Sequence, residues 1–142
     1  MTIRAAVGDA LKDANPSLIS RAFVVDDERV IASTLTTILQ VSGYDARCFV
    51  NPLEALEAAR TAEPNLLISD VLMSELSGID LAPRLKEQYP TCKVLLFSGQ
   101  AMTADLLASA REQGHDFQVL AKPFHPTDLL ARIKDANDPG VT

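Results

Sequence analysis

The sequence predicts an α/β fold in which a doubly wound parallel sheet of five strands is covered by five helices. Short apolar runs, each bounded by polar or turn residues, predict the strands. Between them lie segments whose apolar residues recur every three or four positions, the spacing of amphipathic helices. Because strands and helices alternate and the links are short, we expect parallel strands joined by right-handed crossovers.

Four apolar runs predict strands that are buried between two layers of helices. They lie at residues 22–25, 65–69, 93–97 and 117–121. A fifth run, at residues 44–49, mixes polar and apolar side chains. This mixture predicts a strand at an edge of the sheet, where it can face water.

Five helices are predicted from apolar spacing and from the residues that begin or end helices. The first covers residues 28–41, and the second opens at the capping residue Asn51, which Pro52 follows. The others cover residues 80–88, 103–113 and 126–134. The apolar positions that define the helical spacing of the first, second and fifth helices are Val30, Ile31, Leu35, Ile38, Leu39, Leu53, Leu56, Ala59, Leu129, Leu130 and Ile133.

Residues 21–136 are predicted to form one domain. The chain has 142 residues, 47% of them hydrophobic and 23% charged, which is the balance of a single globular domain. Residues 1–20 lie outside the alternation of strands and helices, and we expect an N-terminal tail or a short helix there. Residues 137–142 are expected to be a C-terminal tail. The remaining residues are too few for a second domain, so we expect none among them.

Charge and cysteine content exclude several classes of function. The formal net charge is −6, which argues against binding of nucleic acid or an anionic membrane surface. No apolar run approaches the roughly 20 residues that span a bilayer, and no signal peptide is indicated. We therefore expect a cytoplasmic protein. Cys48 and Cys92 lie far apart without metal-ligand spacing, so they are expected to be small hydrophobic residues on strands.

Polar side chains follow the predicted strands at the points where the strands end. Asp26 and Asp27 follow the first strand, Asp70 the third, Ser98 the fourth and Lys122 the fifth. In parallel sheets, ligands bind beyond the carboxyl ends of the strands, where the strand order reverses. With the flavodoxin-like order 2-1-3-4-5, all five side chains would converge on one crevice.

The chemistry of this crevice points to a metal and a phosphoryl group. Three carboxylates repel one another unless protons or a cation offset their charge. Taken singly, Asp26 or Asp27 could instead be only a helix cap. Mg²⁺, or Mn²⁺ in its place, is held by one or two carboxylates, waters and a phosphate. The Lys122 ammonium and the Ser98 hydroxyl would then donate hydrogen bonds to phosphoryl oxygens.

Four motifs in order resemble the receiver domain of two-component response regulators. They are the acidic run Asp26-Asp27-Glu28, the pattern Asp70-x-x-Met73-x-x-x-x-Gly78, the triplet Phe97-Ser98-Gly99 and the triplet Lys122-Pro123-Phe124. The resemblance covers residues 21–136 and implies a stand-alone phospho-accepting protein. Such a protein would not be a conventional enzyme, although it would catalyse its own phosphoryl transfer and dephosphorylation.

The resemblance also implies roles for individual residues. Asp70 would accept a phosphoryl group from a histidine kinase or a histidine phosphotransferase. Asp26, Asp27, Asp70 and the backbone carbonyl of Leu72 would bind Mg²⁺. Ser98 and Lys122 would bind the phosphoryl oxygens, and a cis peptide bond would precede Pro123. Glu28 and Gln100 could contact an attacking water and tune dephosphorylation, or could be solvated loop residues.

The expected output surface is formed by the fourth helix, the fifth strand and the fifth helix. Phosphorylation would draw the Ser98 loop toward the new charge and alter that surface for an unknown downstream protein, or for a phosphorylation-dependent homodimer. The family places an aromatic switch residue three positions before the lysine, where this chain has Val119. The segment before Lys122 is also one residue longer, so Phe117 or Gln118 could take that role.

Three other functions are weighed against this one. A degenerate receiver would act as a phosphorylation-independent interaction module, but the intact set of Asp27, Asp70, Ser98 and Lys122 argues against it. A small phosphatase with an aspartate nucleophile of the haloacid dehalogenase type needs an acid two residues after the nucleophile, where Leu72 stands. A flavodoxin-like cofactor module would carry a phosphate loop after the first strand, whereas the acidic run there would repel a bare phosphate.

Overall fold

The computed structural model describes residues 20–99, 103–114, 117–122 and 125–137, and strands and helices alternate throughout them. Each predicted strand and helix is present. The elements in chain order are β1 (Arg21–Val25), α1 (Arg29–Val41), β2 (Asp45–Phe49), α2 (Pro52–Ala59), β3 (Leu66–Asp70), α3 (Gly78–Gln88), β4 (Lys93–Ser98), α4 (Thr103–Glu112), β5 (Gln118–Ala121) and α5 (Pro126–Asn137). Most of the two predicted tails, residues 1–19 and 138–142, lies outside the described residues, whereas Asn137, which was predicted to begin the C-terminal tail, is the last residue of α5.

The five strands of the described residues form one parallel sheet in the order β2-β1-β3-β4-β5. This is the order predicted from the sequence. The chain moves from β1 outward to β2 and then returns to β3 on the other side of β1. The strand order therefore reverses between β1 and β3, which opens a crevice at their carboxyl ends.

Apolar side chains cover both faces of the sheet because successive strand residues point to opposite sides. On one face, helices α2, α3 and α4 pack against strand residues such as Phe23, Leu67 and Leu96. On the other face, α1 and α5 pack against residues such as Ile68 and Phe97. The central strands β1, β3 and β4 are almost wholly buried, so the crevice rests on the best-packed part of the fold.

Local polar contacts fix where two of the helices begin. The Asn51 side chain accepts a hydrogen bond from the Leu53 N–H at 2.9 Å, so the predicted cap of α2 is present. The Ser77 hydroxyl accepts one from the Asp80 N–H at 3.1 Å, and α3 consequently begins at Gly78, two residues earlier than predicted. Among the described residues, every helix is too short or too polar to cross a bilayer.

Burial differs at three places from what the apolar pattern of the sequence indicates. Val30 is 78% exposed and Leu53 is 45% exposed, although both fit the apolar spacing of their helices. Other predicted positions, such as Leu35 in α1 and Ala59 in α2, are buried, so the inward stripe of each helix is narrower than the apolar spacing indicates. Strand β5 is also less buried than predicted, because it lies at a sheet edge and Leu120 is the one buried residue among its four.

The two cysteines are expected to differ sharply in reactivity. Burial raises the pKa of the Cys92 thiol to about 11, whereas Cys48 is exposed on β2. At pH 8 we expect one thiol per chain to react quickly with a disulfide reagent and the other at least about a hundredfold more slowly, because the thiolate is the reactive form. The Cys48→Ser variant should lose the fast phase. Two fast thiols in the folded protein would contradict this assignment.

Candidate functional site

Three carboxylates meet at the crevice between β1 and β3. One oxygen each from Asp26, Asp27 and Asp70 lies within 4.8 Å of the other two. Strand register explains the meeting: Val25 pairs with Ser69 across the two parallel strands, so the residues that follow them stand side by side. The predicted convergence of these side chains is therefore observed.

Asp26 is the most enclosed of the three carboxylates. It is fully buried, and its Oδ1 accepts a hydrogen bond from the Glu28 N–H at 2.9 Å. Burial raises the pKa of Asp26, and the Glu28 N–H and the Lys122 ammonium counter that shift only in part. Asp27, in contrast, is exposed at the rim. The cluster thus combines one desolvated carboxylate with one that water and ligands can reach.

Lys122 places a positive charge against two of these carboxylates. Its Nζ donates hydrogen bonds to Oδ2 of Asp70 at 3.1 Å and to Oδ2 of Asp26 at 3.4 Å. Its backbone N–H donates to the Ser98 carbonyl at 2.8 Å, which continues the pairing of β4 with β5. Burial alone would lower the pKa of Lys122, but the two carboxylates outweigh it and the net pKa is raised. The side chain therefore remains an ammonium group at neutral pH.

Two residues at the end of β4 complete this side of the crevice. Ser98 is the last residue of the strand and is buried, and Phe97 pairs in register with Asp70. The ring of Phe97 lies beneath Lys122, with its centroid 4.9 Å from Nζ. The sequence indicated only that Phe97 belongs to the core; its place beside the lysine depends on strand register, which no local pattern encodes.

Ser69 and Gly78 both contact the backbone carbonyl of Asp70. The Ser69 hydroxyl is fully buried and donates a hydrogen bond to the Asp70 carbonyl at 2.9 Å. Gly78 packs so closely that a Cβ added to it would overlap the same carbonyl oxygen. Sequence reasoning missed Ser69, whose only signal was a hydroxyl side chain in an apolar strand directly before Asp70.

The remaining predicted site residues surround this cluster or lie outside the described residues. Glu28 is exposed at the start of α1, and the Leu72 side chain is 37% exposed in the loop after β3. Val119 is half-buried in β5, pairs with Leu96 and packs on the same face as α2, α3 and α4. Gln100 and Pro123, together with the predicted cis peptide bond, fall outside the described residues.

The donor set of the crevice suits a hard divalent cation. Asp26, Asp27 and Asp70 offer only oxygen ligands, and their carboxylates outnumber the Lys122 ammonium. Mg²⁺ binds through one or two carboxylates and keeps several waters, and the exposed rim at Asp27 leaves room for them. The residues present therefore fit the magnesium site that the sequence predicts.

Comparison with known proteins gives one consistent result. The sequence profile of the response regulator receiver domain matches residues 22–134. A solved structure of a CheY-like response regulator receiver domain protein from Methanospirillum hungatei JF-1 has a TM-score of 0.76. It is 24% identical in sequence and covers 85% of this chain and 95% of its own, which is a likeness of fold.

Two curated relatives show how the match extends over whole proteins. The transcriptional regulatory protein CreB of Escherichia coli (strain K12) is 32% identical over 112 residues, or 79% of this chain, but the chain covers only 48% of CreB. The response regulator receiver protein CpdR of Brucella abortus (strain 2308) is 32% identical over 116 residues, 82% of this chain and 95% of CpdR. The chain thus spans about half of the first relative and nearly all of the second.

Proposed function

The chain belongs to the response regulator receiver domain family, and we propose that Asp70 is its phosphoacceptor. The observation that carries the proposal is the crevice itself: the Asp70 carboxylate is hydrogen-bonded to the Lys122 ammonium and faces two further carboxylates. A histidine kinase or a histidine phosphotransferase would donate the phosphoryl group. Sites that combine a nucleophilic oxygen, a metal-binding cluster and a fixed cation are suited to phosphoryl transfer.

The contacts of Asp70 suggest how the transfer proceeds. Lys122 binds its Oδ2, which leaves Oδ1 to attack the phosphorus atom of the donor. A phosphorus–oxygen bond forms on Asp70, the phosphorus–nitrogen bond of the phosphohistidine breaks, and its electron pair returns to the imidazole. Lys122 then offsets negative charge on the transferred oxygens. The buried Ser98 hydroxyl lies at the adjacent strand end, from which we propose that it donates to another phosphoryl oxygen.

Asp26 and Asp27, together with Asp70 and the Leu72 carbonyl, would hold Mg²⁺ or Mn²⁺. When bound, the metal supplies charge neutralisation to the phosphoryl oxygens. The chain contributes its own share: the Glu28 N–H fixes one Asp26 oxygen and leaves the other directed at Lys122. The ligand cluster is thereby oriented before any phosphoryl group arrives.

Phosphorylation is proposed to alter the surface formed by α4, β5 and α5. The new charge would draw the Ser98 hydroxyl inward, and the end of β5 would follow through the bond from the Lys122 N–H to the Ser98 carbonyl. Because this chain has the aliphatic Val119 at the position of the family's aromatic switch residue, we propose that the movement proceeds without an aromatic side chain there. The altered surface would bind a downstream protein or a second copy of the chain.

Further parts of the proposal concern turnover and location. Glu28 is exposed beside the crevice and is proposed, with Gln100, to tune attack of water on the phosphorylated Asp70. The acidic composition gives no footprint for nucleic acid or a membrane surface, so we propose a cytoplasmic protein that acts by contact with other proteins.

Incubation with acetyl phosphate and Mg²⁺ tests the proposed function. We expect the intact mass to rise by one phosphoryl group, with acetate as the leaving group, and the gain to be lost on treatment with hydroxylamine, which cleaves acyl phosphates. A chelator should prevent the gain, because three carboxylates and one ammonium leave the site too negative to admit a phosphoryl donor.

Two other results would contradict the proposal in different ways. A stable mass gain that survives hydroxylamine would place the group on a hydroxyl side chain instead of a carboxylate. An unchanged mass in the presence of Mg²⁺ would contradict the proposal and favour a phosphorylation-independent interaction module. Circular dichroism of the same sample is the control that tests whether the protein is folded.

A further inference from the structure

The Lys122 ammonium contacts both carboxylates and the face of an aromatic ring. Nζ lies 3.1 Å from Asp70 Oδ2 and 3.4 Å from Asp26 Oδ2. The ring centroid of Phe97 lies 4.9 Å from Nζ. Phe97 is fully buried, and the Lys122 side chain is only 20% exposed. Little water therefore competes with either contact.

The two kinds of contact behave differently when Asp70 reacts. Each hydrogen bond to a carboxylate occupies one N–H of the ammonium. When Asp70 accepts a phosphoryl group, the hydrogen bond to its carboxylate must be replaced by one to a phosphoryl oxygen. The face of an aromatic ring attracts a cation through its quadrupole without a fixed hydrogen bond. The contact with Phe97 can consequently persist while the N–H groups of Lys122 turn from Asp70 to the phosphoryl oxygens.

We propose that Phe97 is a positioning residue for phosphoryl transfer: the electron-rich face of its ring holds the Lys122 ammonium at the crevice as Asp70 accepts the phosphoryl group. This inference rests on the proposed function of Asp70. Lysine has four rotatable side-chain bonds and loses substantial freedom when it is fixed. Holding the ammonium in place before the donor binds reduces the freedom that remains to be lost in the transition state.

Packing alone is the competing explanation, because Phe97 also belongs to the core cluster beneath α1 and α5. A truncation such as Phe97→Leu changes both packing and ring electrons, so it cannot separate the two roles. Fluorine atoms on the ring withdraw electron density from its face and change its volume only slightly. The electron density of the ring is therefore the variable to test.

The experiment replaces Phe97 in the full chain by 4-fluorophenylalanine and by 3,4,5-trifluorophenylalanine. The measurement is the initial rate of mass gain from acetyl phosphate at saturating Mg²⁺, together with the urea midpoint of each protein. We expect the rate to fall with each added fluorine, by roughly three- to thirtyfold for the trifluoro ring, while the urea midpoint stays unchanged.

The matched control is Phe23, an equally buried ring whose cationic neighbour is Arg47 at 5.9 Å. Fluorination there should leave the rate unchanged.

The alternatives give distinct results. A rate that does not depend on fluorination of Phe97 overturns the inference, as does a fall that merely follows a lower urea midpoint. An equal fall on fluorination of Phe23 also overturns it, because the effect would then be general. If the unsubstituted protein gains no phosphoryl group at all, it is the proposed function of Asp70 that fails.

Discussion

Replacing Asp70 by asparagine should abolish phosphoryl uptake, with the initial rate from acetyl phosphate lowered at least about a thousandfold. The amide oxygen is a poor nucleophile and cannot form an acyl phosphate. Asparagine has nearly the shape of aspartate, and its Oδ1 can still accept the hydrogen bond that Lys122 donates at 3.1 Å in the parent. The expected loss is thus one of chemistry at an otherwise intact crevice, and intact mass over time measures it.

The matched control for this variant is Asp45→Asn. Asp45 undergoes the same chemical change at the exposed edge strand β2, where its carboxylate pairs with Arg21 at 3.3 Å. Exposed ion pairs of this kind contribute about 0–1 kcal/mol, so the control should fold and take up the phosphoryl group at the parent rate. Equal uptake by the Asp70→Asn variant and the parent would move the phosphoacceptor to another carboxylate, with Asp27 as the most exposed candidate of the cluster.

The fold could be predicted from the sequence because its signals are local and repeated. Runs such as residues 22–25 and 65–69 are too short for helices, and the segments between them carry helical spacing. Alternation then restricts the topology to parallel strands with crossovers, and the observed order β2-β1-β3-β4-β5 agrees. Local spacing did not settle how wide the inward stripe of a helix is, since Val30 and Leu53 fit the spacing and are nevertheless exposed.

The proximity of Asp26, Asp27 and Asp70 could also be predicted, because it follows from the positions of the strand ends. Each follows or ends a strand, and the carboxyl ends of parallel strands lie at the same edge of the sheet. The contacts of Lys122 with Phe97 and of Ser69 with the Asp70 carbonyl were not predictable. The contact of Lys122 with Phe97 depends on the pairing of β4 with β5, and the contact of Ser69 depends on the direction of its hydroxyl; the sequence holds no periodic signal for either.

Replacing Gly78 by alanine should destabilise the protein by about 1–3 kcal/mol, the usual cost of inserting a methyl group into a packed site. The added Cβ would overlap the backbone carbonyl oxygen of Asp70 and would lie 3.0 Å from the Ser69 hydroxyl oxygen. Since the obstructing atom is backbone, it cannot turn aside as a flexible side chain would. Asp70 must shift, and the rate of phosphoryl uptake should fall as well, by roughly ten- to a hundredfold.

The sign of the change in stability distinguishes this explanation from an ordinary helix effect. Gly78 lies in the first turn of α3, and glycine to alanine within a helix normally stabilises by up to about 1 kcal/mol. The free energy of unfolding in urea therefore separates the two explanations: overlap with the Asp70 carbonyl lowers it, whereas helix propensity alone would raise it. Gly99→Ala is the control, because its Cβ would meet the Lys122 Cβ at an ordinary 3.5 Å. Should Gly78→Ala prove as stable as the parent, close packing of α3 against Asp70 would not be what holds the phosphoacceptor in place.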